Sequence, residues 1–546
     1  MNRKRLVCLL LISTLMIMAV ACRSNPTDKP GSPQTSGTTN PNENEESSGG
    51  TAKGMEFPIV EEPITLKCFA TYGAYNKGDF NELPIWKEYE KKTNIKVEFE
   101  AYPMGDHTEK FSLKMATNDL PDFFMKVSLS NSDITKYAQE GSLVPITPYL
   151  EDYAPNYFKQ VENDSNLKAT VTNSDGNIYG FAYLVTSGPA QTRPIFINEK
   201  WLGKLGEKVP STTDELKQLL IKVRDADLNG NGKADEIPLI SNNVNLVDHM
   251  FRGSFGVGSR GYTNIDIDPE GNLRYIPTSD EYKQLLVYLN ELYTEKLIYQ
   301  EIFDGDLAAL AALGEQNQVF MATMNLRSYL GETYKENFGG IYEPFEGPNG
   351  DKVNSLRQNT VSGQNTFITA DNPYPEATVR WIDYFYSEEG IRLYFMGIEG
   401  ETYEFDSEGI PRYTDLVAKN PEGLTSEEVL GKYLAWGGGS NPSIAEDTCF
   451  GNIYPELEKE ITQSLLQYAP DEVWGPFTYS MEDTTRLATL EQDINTYVTD
   501  MKAKFITGNT SFGEWDSYKD TLNKMGFDEL MQIYQRGLDD YNSKVK

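Results

Sequence analysis

The sequence predicts an α/β protein of two lobes, and three observations carry that expectation. The stretch with folded composition runs from about Phe57 to Lys546, too long for a single hydrophobic core. Its first seventy residues alternate strand, helix, strand, helix, strand, the pattern of a parallel sheet covered by helices. Residues 360 to 403 return to the same α/β character after a middle region of amphipathic helices. Lobe 1 is expected over 57–185 with a return segment near 360–440. Lobe 2 is expected over 186–359 with C-terminal helices near 441–546, so the chain crosses between lobes two or three times.

Ahead of the folded body, residues 1–21 open with Arg3-Lys4-Arg5, continue in a short apolar run and end in small residues, as a secretory signal does. The apolar run is short for a membrane span of about 20 residues. Cys22 follows directly. This arrangement resembles a bacterial lipobox, which implies cleavage before Cys22 and a lipid on it; an ordinary signal with an incidental cysteine is the alternative. Residues 22–56 hold Ser, Thr, Pro, Asn, Gly and Glu with almost no aliphatics, and are expected to be a disordered tether.

In the body, residues 64–72 read as a strand, 81–93 as a helix, 95–102 as an alternating strand and 108–118 as a second helix, with Asp119-Leu-Pro-Asp122 leading into a third strand. Ligands of parallel sheets sit beyond the carboxyl ends of strands, where residues 72–78 and Asp122 are expected. Leu216, Leu219, Leu220 and Val223 mark a helix capped by Ser211 or Thr212. Another carries Tyr282, Leu285, Leu289 and Leu292. Residues 376–396 read as one aromatic-rich helix, 403–413 as a hairpin, and the last eighty residues as helices with acidic caps.

The helix at 216–223 runs into Asp225-Ala-Asp-Leu-Asn-Gly-Asn-Gly-Lys-Ala-Asp-Glu236, whose hard oxygen donors at alternate positions and turning glycines suit a calcium ion. Two registers fit. From Asp225 the loop matches D-x-[DN]-x-[DN]-G-x5-E, closed by Glu236. From Asp227 it is shorter, with Asp227, Asn229, Asn231, the Lys233 carbonyl, Asp235 and Glu236 as ligands. The second is preferred because it uses every alternate residue and both terminal acids. A metal-free acidic turn is the remaining alternative. The ion is expected to be structural, stapling a helix end to the segment entering Ile237.

Composition excludes several classes. The formal charge is −33, or −36 without Arg3, Lys4 and Arg5, which argues against nucleic acid as a partner. Two histidines, His107 and His249, make a His-rich zinc site or a His-dependent triad improbable. No P-loop, nucleophile motif or zinc signature stands out. Cys68 and Cys449 are expected as buried thiols, although an oxidising compartment would permit a pair.

Glu109-Lys-Phe-Ser-Leu-Lys-Met-Ala-Thr-Asn-Asp-Leu-Pro-Asp122, Gly141-Ser-Leu-Val-Pro-Ile-Thr-Pro-Tyr149, Ile197-Asn-Glu-Lys-Trp-Leu-Gly-Lys-Leu-Gly206 and Gly397-Ile-Glu-Gly-Glu-Thr-Tyr403, in this order, resemble the substrate-binding lipoproteins of bacterial ABC importers, in particular carbohydrate-type receptors of Gram-positive bacteria. The short loop register is similar to that of calcium-containing alginate-binding receptors. The resemblance implies a two-lobe periplasmic-binding-protein-like fold (type II) with a hinge and a ligand cleft between the lobes. It implies a monomer without enzymatic activity, held by lipid at the outer face of the cell membrane, that captures an oligosaccharide and delivers it to a permease. Aromatic rings and polar side chains at strand ends are the expected ligand contacts: Tyr72, Tyr75, Asp122, Arg193, Glu399 and Trp436. A secreted carbohydrate-active enzyme pairing carboxylates such as Glu399 with Glu401 or Asp122, or a surface sensor or adhesin, is the competing class.

Overall fold

The computed structural model describes residues 56–545 except 74, 187–191, 193, 262, 306, 324–329, 332, 356–359, 436–439 and 451–455. Cys22, Arg193 and Trp436 therefore lie outside the described residues.

The first lobe is built on a six-stranded sheet of β1 (Ile64–Tyr72), β2 (Ile95–Pro103), β3 (Phe123–Met125), β4 (Gly180–Val185), β11 (Thr360–Ile368) and β14 (Ile444–Ala445), in the order β14-β4-β11-β3-β1-β2. β1 pairs in parallel with β2 and β3, but β11 runs antiparallel to both β3 and β4. The sheet is thus mixed, because β11 enters from the other lobe and returns down the first. Helices α1 (Pro84–Thr93), α2 (His107–Thr117), α3 (Asn131–Gln139), α4 (Pro155–Asn163) and α5 (Ser165–Val171) cover it. Phe123, Trp381, Phe385, Tyr89 and Trp86 form the middle of its core.

The second lobe holds the four-stranded sheet β10-β5-β9-β6, from β5 (Ile195–Asn198), β6 (Ile237–Ile240), β9 (Val319–Thr323) and β10 (Phe338–Gly340). A short ribbon of β7 (Ile265–Ile267) and β8 (Leu273–Tyr275) stands beside it. Around them pack α6 (Glu199–Leu205), α7 (Thr213–Arg224), α8 (Val244–Arg252) and α9 (Asp280–Thr294). In α7 the Thr212 hydroxyl accepts the Glu215 N–H, and Leu216, Leu219, Leu220 and Val223 are buried on one face.

Residues 376–396, expected as one helix, are two: α10 (Pro375–Asp383) and α11 (Glu388–Phe395). Ser387 starts the second by accepting the Gly390 N–H. A Cβ at Gly390 would stand 1.8 Å from the Tyr384 carbonyl oxygen, so the break is packed too tightly for any other residue. The hairpin forms as β12 (Tyr403–Phe405) and β13 (Pro411–Tyr413). The chain ends in α12 (Glu456–Leu465), α13 (Met481–Thr507), α14 (Trp515–Lys524) and α15 (Phe527–Val545). Among the described residues no helix is long and apolar enough to cross a membrane.

Cys68 and Cys449 are buried and unpaired. Burial is the first cause raising both thiols, well above the ordinary cysteine range. The segment ahead of β1 is fastened to the first lobe. Arg380 donates to the carbonyls of Ile59 (2.7 Å) and Glu56 (2.6 Å), Phe57 meets Tyr384 edge-on, and Lys92 lies over the Phe57 ring.

Candidate functional site

Strand directions locate the cleft. β6 and β9 are parallel, while β5 runs against β9 and β10 against β5. β4 therefore ends, and β11 begins, at the carboxyl edge of the first sheet, and β5 begins, and β10 ends, at the matching edge of the second. The connections 186–194 and 341–359 join these two edges, and β14 leaves the first at Ala445 to reach α12, which packs on β10. The carboxyl edges of both sheets face one space, where open α/β sheets hold ligands.

A groove of about 630 Å³ opens at the carboxyl edge of the first sheet. One wall is residues 129–132, directly beyond β3, with Gly363 of β11. The other is residues 263–265 at β7, residues 474–477, Tyr479, Glu491 and Asn495 on α13, and Tyr534 on α15. Asn131 Nδ2 donates to the Phe477 carbonyl across the lobes at 3.2 Å. Tyr534 donates its hydroxyl to Glu491 at 2.7 Å, and burial, then Glu491, pushes that phenol far up. Burial first, then Glu491 and Asp483, does the same to Tyr479. Trp474 is 6% exposed, and its buried indole Nε1–H meets no acceptor among the described residues. Arg260 covers its ring at 5.6 Å. The described lining contains aromatic faces, amides, hydroxyls and one carboxylate, with no Lys or Arg. That chemistry suits polyhydroxylated rings, which offer apolar faces for stacking and hydroxyls for hydrogen bonds.

The expected ligand residues are not brought together. Tyr72 ends β1 at the carboxyl edge, but its ring stacks on Phe80 against the lobe core. Tyr75, 42% exposed, borders a separate recess of about 350 Å³ with Lys77, Asp79, Glu428 and Lys432. Asp122 requires a correction. It precedes Phe123, the first residue of β3, so it stands at the amino edge, where its carboxylate accepts the Lys67 N–H at 2.6 Å. Glu399 is exposed in the turn before β12, bridged to Tyr403. None of these four lines the groove. Arg193 and Trp436 lie outside the described residues. Thr192 bonds Thr462 at 3.1 Å. Ala435 and Ser440 bond Lys126 and Ser128, at the carboxyl end of β3. Sequence reasoning missed residues 474–479, although Trp-Gly-Pro-Phe-Thr-Tyr marks them: three aromatics among two helix breakers, in a connection between helices.

Lys126 sits at the cleft edge in the left-handed region (φ 62°), 3% exposed, with its Nζ on the Ala435 carbonyl at 2.5 Å. Burial lowers this ammonium to about 7. An unfolded lysine titrates near 10.4, so between about pH 7 and 10.4 the unfolded chain binds more protons and stability rises with pH, by at most about 1.4 kcal/mol per pH unit. The melting midpoint of the wild type is expected to climb from pH 7 to pH 9 relative to Lys126→Met; a constant difference would refute it.

The 225–236 loop joins α7 to β6, at the amino edge of the second sheet. Asp225 caps α7 and is held by Arg224 at 2.7 and 2.9 Å, and this bond, its leading influence, lowers its carboxyl. Asp227 faces inward instead: its carboxylate accepts the N–H groups of Gly230, Asn231 and Gly232 at 2.8–3.0 Å. Gly230 and Gly232 both have φ above 80°, which folds the chain around that carboxylate. The side-chain amides of Asn229 and Asn231 converge on Asp235 at 3.0–3.2 Å. The Oδ1 of Asn229 accepts the Asn231 N–H and that of Asn231 the Lys233 N–H, each at 2.9 Å. Glu236, 5% exposed, accepts the N–H groups of Leu228 and Asn229. A carboxylate retains lone pairs beyond those two bonds. Among the described residues no three His, Cys, Asp or Glu side chains gather as a metal cluster; this loop draws half its donors from amides and a main-chain carbonyl, and the donor set fits a hard cation.

The chain resembles several characterised proteins. It is 27% identical over 511 residues to the fructooligosaccharide ABC transporter substrate-binding protein FusA of Streptococcus pneumoniae, covering 90% of this chain and 93% of FusA. Structures of FusA with kestose, and of a FusA EF-hand mutant with fructo-nystose, superpose with TM-scores of 0.72 and 0.71 at 25% identity, each covering 88% of this chain and all of FusA. The alginate-binding protein AlgQ2, in a structure without calcium ion, shares the fold at TM-score 0.70 and 22% identity, over 88% of this chain and 99% of its own. The family model for bacterial extracellular solute-binding protein matches residues 80–391, more than half of the chain. The sheets, the crossings and this match agree: the chain belongs to the bacterial extracellular solute-binding protein family.

Proposed function

We propose that this protein is the lipid-anchored receptor of an ABC importer that captures an oligosaccharide between its lobes and delivers it to the permease. The observation that carries the reading is the groove itself: aromatic and amide side chains on one wall face amide and hydroxyl side chains on the other, without a cation in the described lining, beyond the carboxyl edge of the first sheet. The lobes close on the ligand by rotation about the crossings, and binding shifts the open–closed balance. FusA, a relative covered over nearly its whole length, is a fructooligosaccharide ABC transporter substrate-binding protein, so fructooligosaccharides are the first candidates. The Ala-Cys22 sequence supports lipid attachment at the outer face of the membrane, where the protein acts as a monomer.

Trp436 and Arg193 remain proposed ligand contacts on the chemistry of their side chains, an aromatic platform and a fork for ligand oxygens. Tyr72 stays a candidate at the rim. Tyr75, Asp122 and Glu399 have no support from placement. For calcium, Asp227, Asn229, Asn231, the Lys233 carbonyl, Asp235 and Glu236 are the proposed ligands.

The test is a thermal-shift panel of fructo-, galacturono- and alginate oligosaccharides with calcium present. A saturating rise with one sugar class supports the receptor by mass action on the folded state. No rise with any of them, or turnover of a bound sugar, sinks the reading. With the responding sugar, Tyr479→Ala is expected to weaken binding about tenfold, roughly 1.4 kcal/mol, by removing one stacking face, as read by calorimetry. Unchanged affinity would remove Tyr479 from the site.

A further inference from the structure

The lobes are joined by three passages of the chain, but the structure contains a fourth link that is not covalent. α15 starts in the second lobe, where Leu530 and Ile533 are buried in its core. It then passes the groove at Tyr534 and ends against α5 of the first lobe. There Leu538 and Tyr541 pack with Ala169, Trp474 and Phe477. The Tyr541 hydroxyl donates to Asn166, and Lys544 donates to the Thr172 carbonyl at 3.1 Å.

Gly537 shows that this contact is built. Glycine in the interior of a helix costs roughly 1 kcal/mol relative to alanine. At Gly537 a Cβ would lie 2.4 Å from the Tyr479 ring and 3.1 Å from Phe477. The helix gives up that stability so that residues 477–479 can lie directly on its backbone. Lys544 bonds Thr478 at 2.7 Å, and Thr478 bonds Asp540 at 2.8 Å, locking the same segment to the next turn. Phe477 in turn takes the amide of Asn131 from the first lobe.

We propose that α15, docked through Gly537 and ending on α5, is a brace that fixes the angle between the lobes and limits how far they open. A protein that spends less time near that angle binds its ligand more weakly, by the fraction of competent molecules lost. The brace concerns the lobes and not the sugar, so it stands or falls independently of the oligosaccharide reading.

Small-angle X-ray scattering of the full chain, without ligand, tests it in Gly537→Ala and in Leu538→Ala/Tyr541→Ala. The radius of gyration is expected to rise, and the pair-distance distribution to extend, in both variants. Curves superimposable on the wild type, from variants with a native circular dichroism spectrum, overturn the proposal. Should either variant unfold, Tyr541→Phe/Lys544→Ala removes only the polar bonds to the first lobe and to residue 478. The same expansion is expected there, and its absence in that folded variant overturns the brace equally.

Discussion

Gly347→Ala is expected to lower the stability of the second lobe by about 3 kcal/mol or more, a fall in its melting midpoint of roughly 6–12 °C. A Cβ at this position would lie 1.5 Å from the Ser254 carbonyl oxygen. The reciprocal contact is nearly as tight: a Cβ at Gly253 would lie 1.9 Å from the Val353 carbonyl oxygen. The two backbones are interlocked, and Ser254 Oγ donates to the Phe345 carbonyl at 2.6 Å between them. Neither neighbour is the flexible end of a side chain, so the added methyl is accommodated only by separating two main chains. The residues involved begin the connection from β10 to β11, so the damage reaches the hinge as well as the lobe. Gly203→Ala, whose Cβ would meet nothing within 4 Å inside α6, is the control and is expected to be neutral or mildly stabilising. Calorimetric unfolding of both variants decides the matter; equal midpoints would show that the segments separate freely.

Removing calcium is expected to have an effect of similar size on the same lobe. With the ion at a hundred times its dissociation constant, binding contributes about 2.7 kcal/mol, so chelation lowers the midpoint by roughly 5–10 °C. Asp227→Ala is expected to be insensitive to chelator, since it removes one ligand together with the acceptor of three loop N–H groups. Because the loop lies at the amino edge of the second sheet and none of its residues lines the groove, sugar affinity is expected to stay unchanged by chelation at temperatures where the lobe remains folded. A wild-type midpoint indifferent to chelator would remove the metal site. A large affinity loss in folded protein would remove its structural role.

Much of the fold is legible in the sequence because its determinants are local. The strand at 64–72 and the capped helix ending at Arg224 follow from periodicity and caps. Both loop registers fit the sequence, and the bond that holds Asp225 to Arg224 favours the one that starts at Asp227. What was not legible depends on contacts distant in sequence. β11 is antiparallel because of where the chain enters, and no residue within it announces this. Asp122 looked like a site residue because it stands near a strand, and which end it marks depends on where pairing with β1 begins. The break at Ser387 rests on one glycine–carbonyl approach. The groove residues were hidden by number: among 33 tyrosines and 25 phenylalanines, Tyr479 and Phe477 gain meaning only when Asn131 and Gly537 arrive beside them.

The bonds from Arg380 to Glu56 and Ile59 have a mechanical consequence. Any pull applied ahead of Glu56 enters the molecule through α10 and the end of α1, at the edge where β1 and β2 begin, and so is borne by the first lobe alone. The load path avoids the hinge. The lobes of a chain pulled from that end therefore keep their mutual angle, since none of the strain passes through the segments that join them.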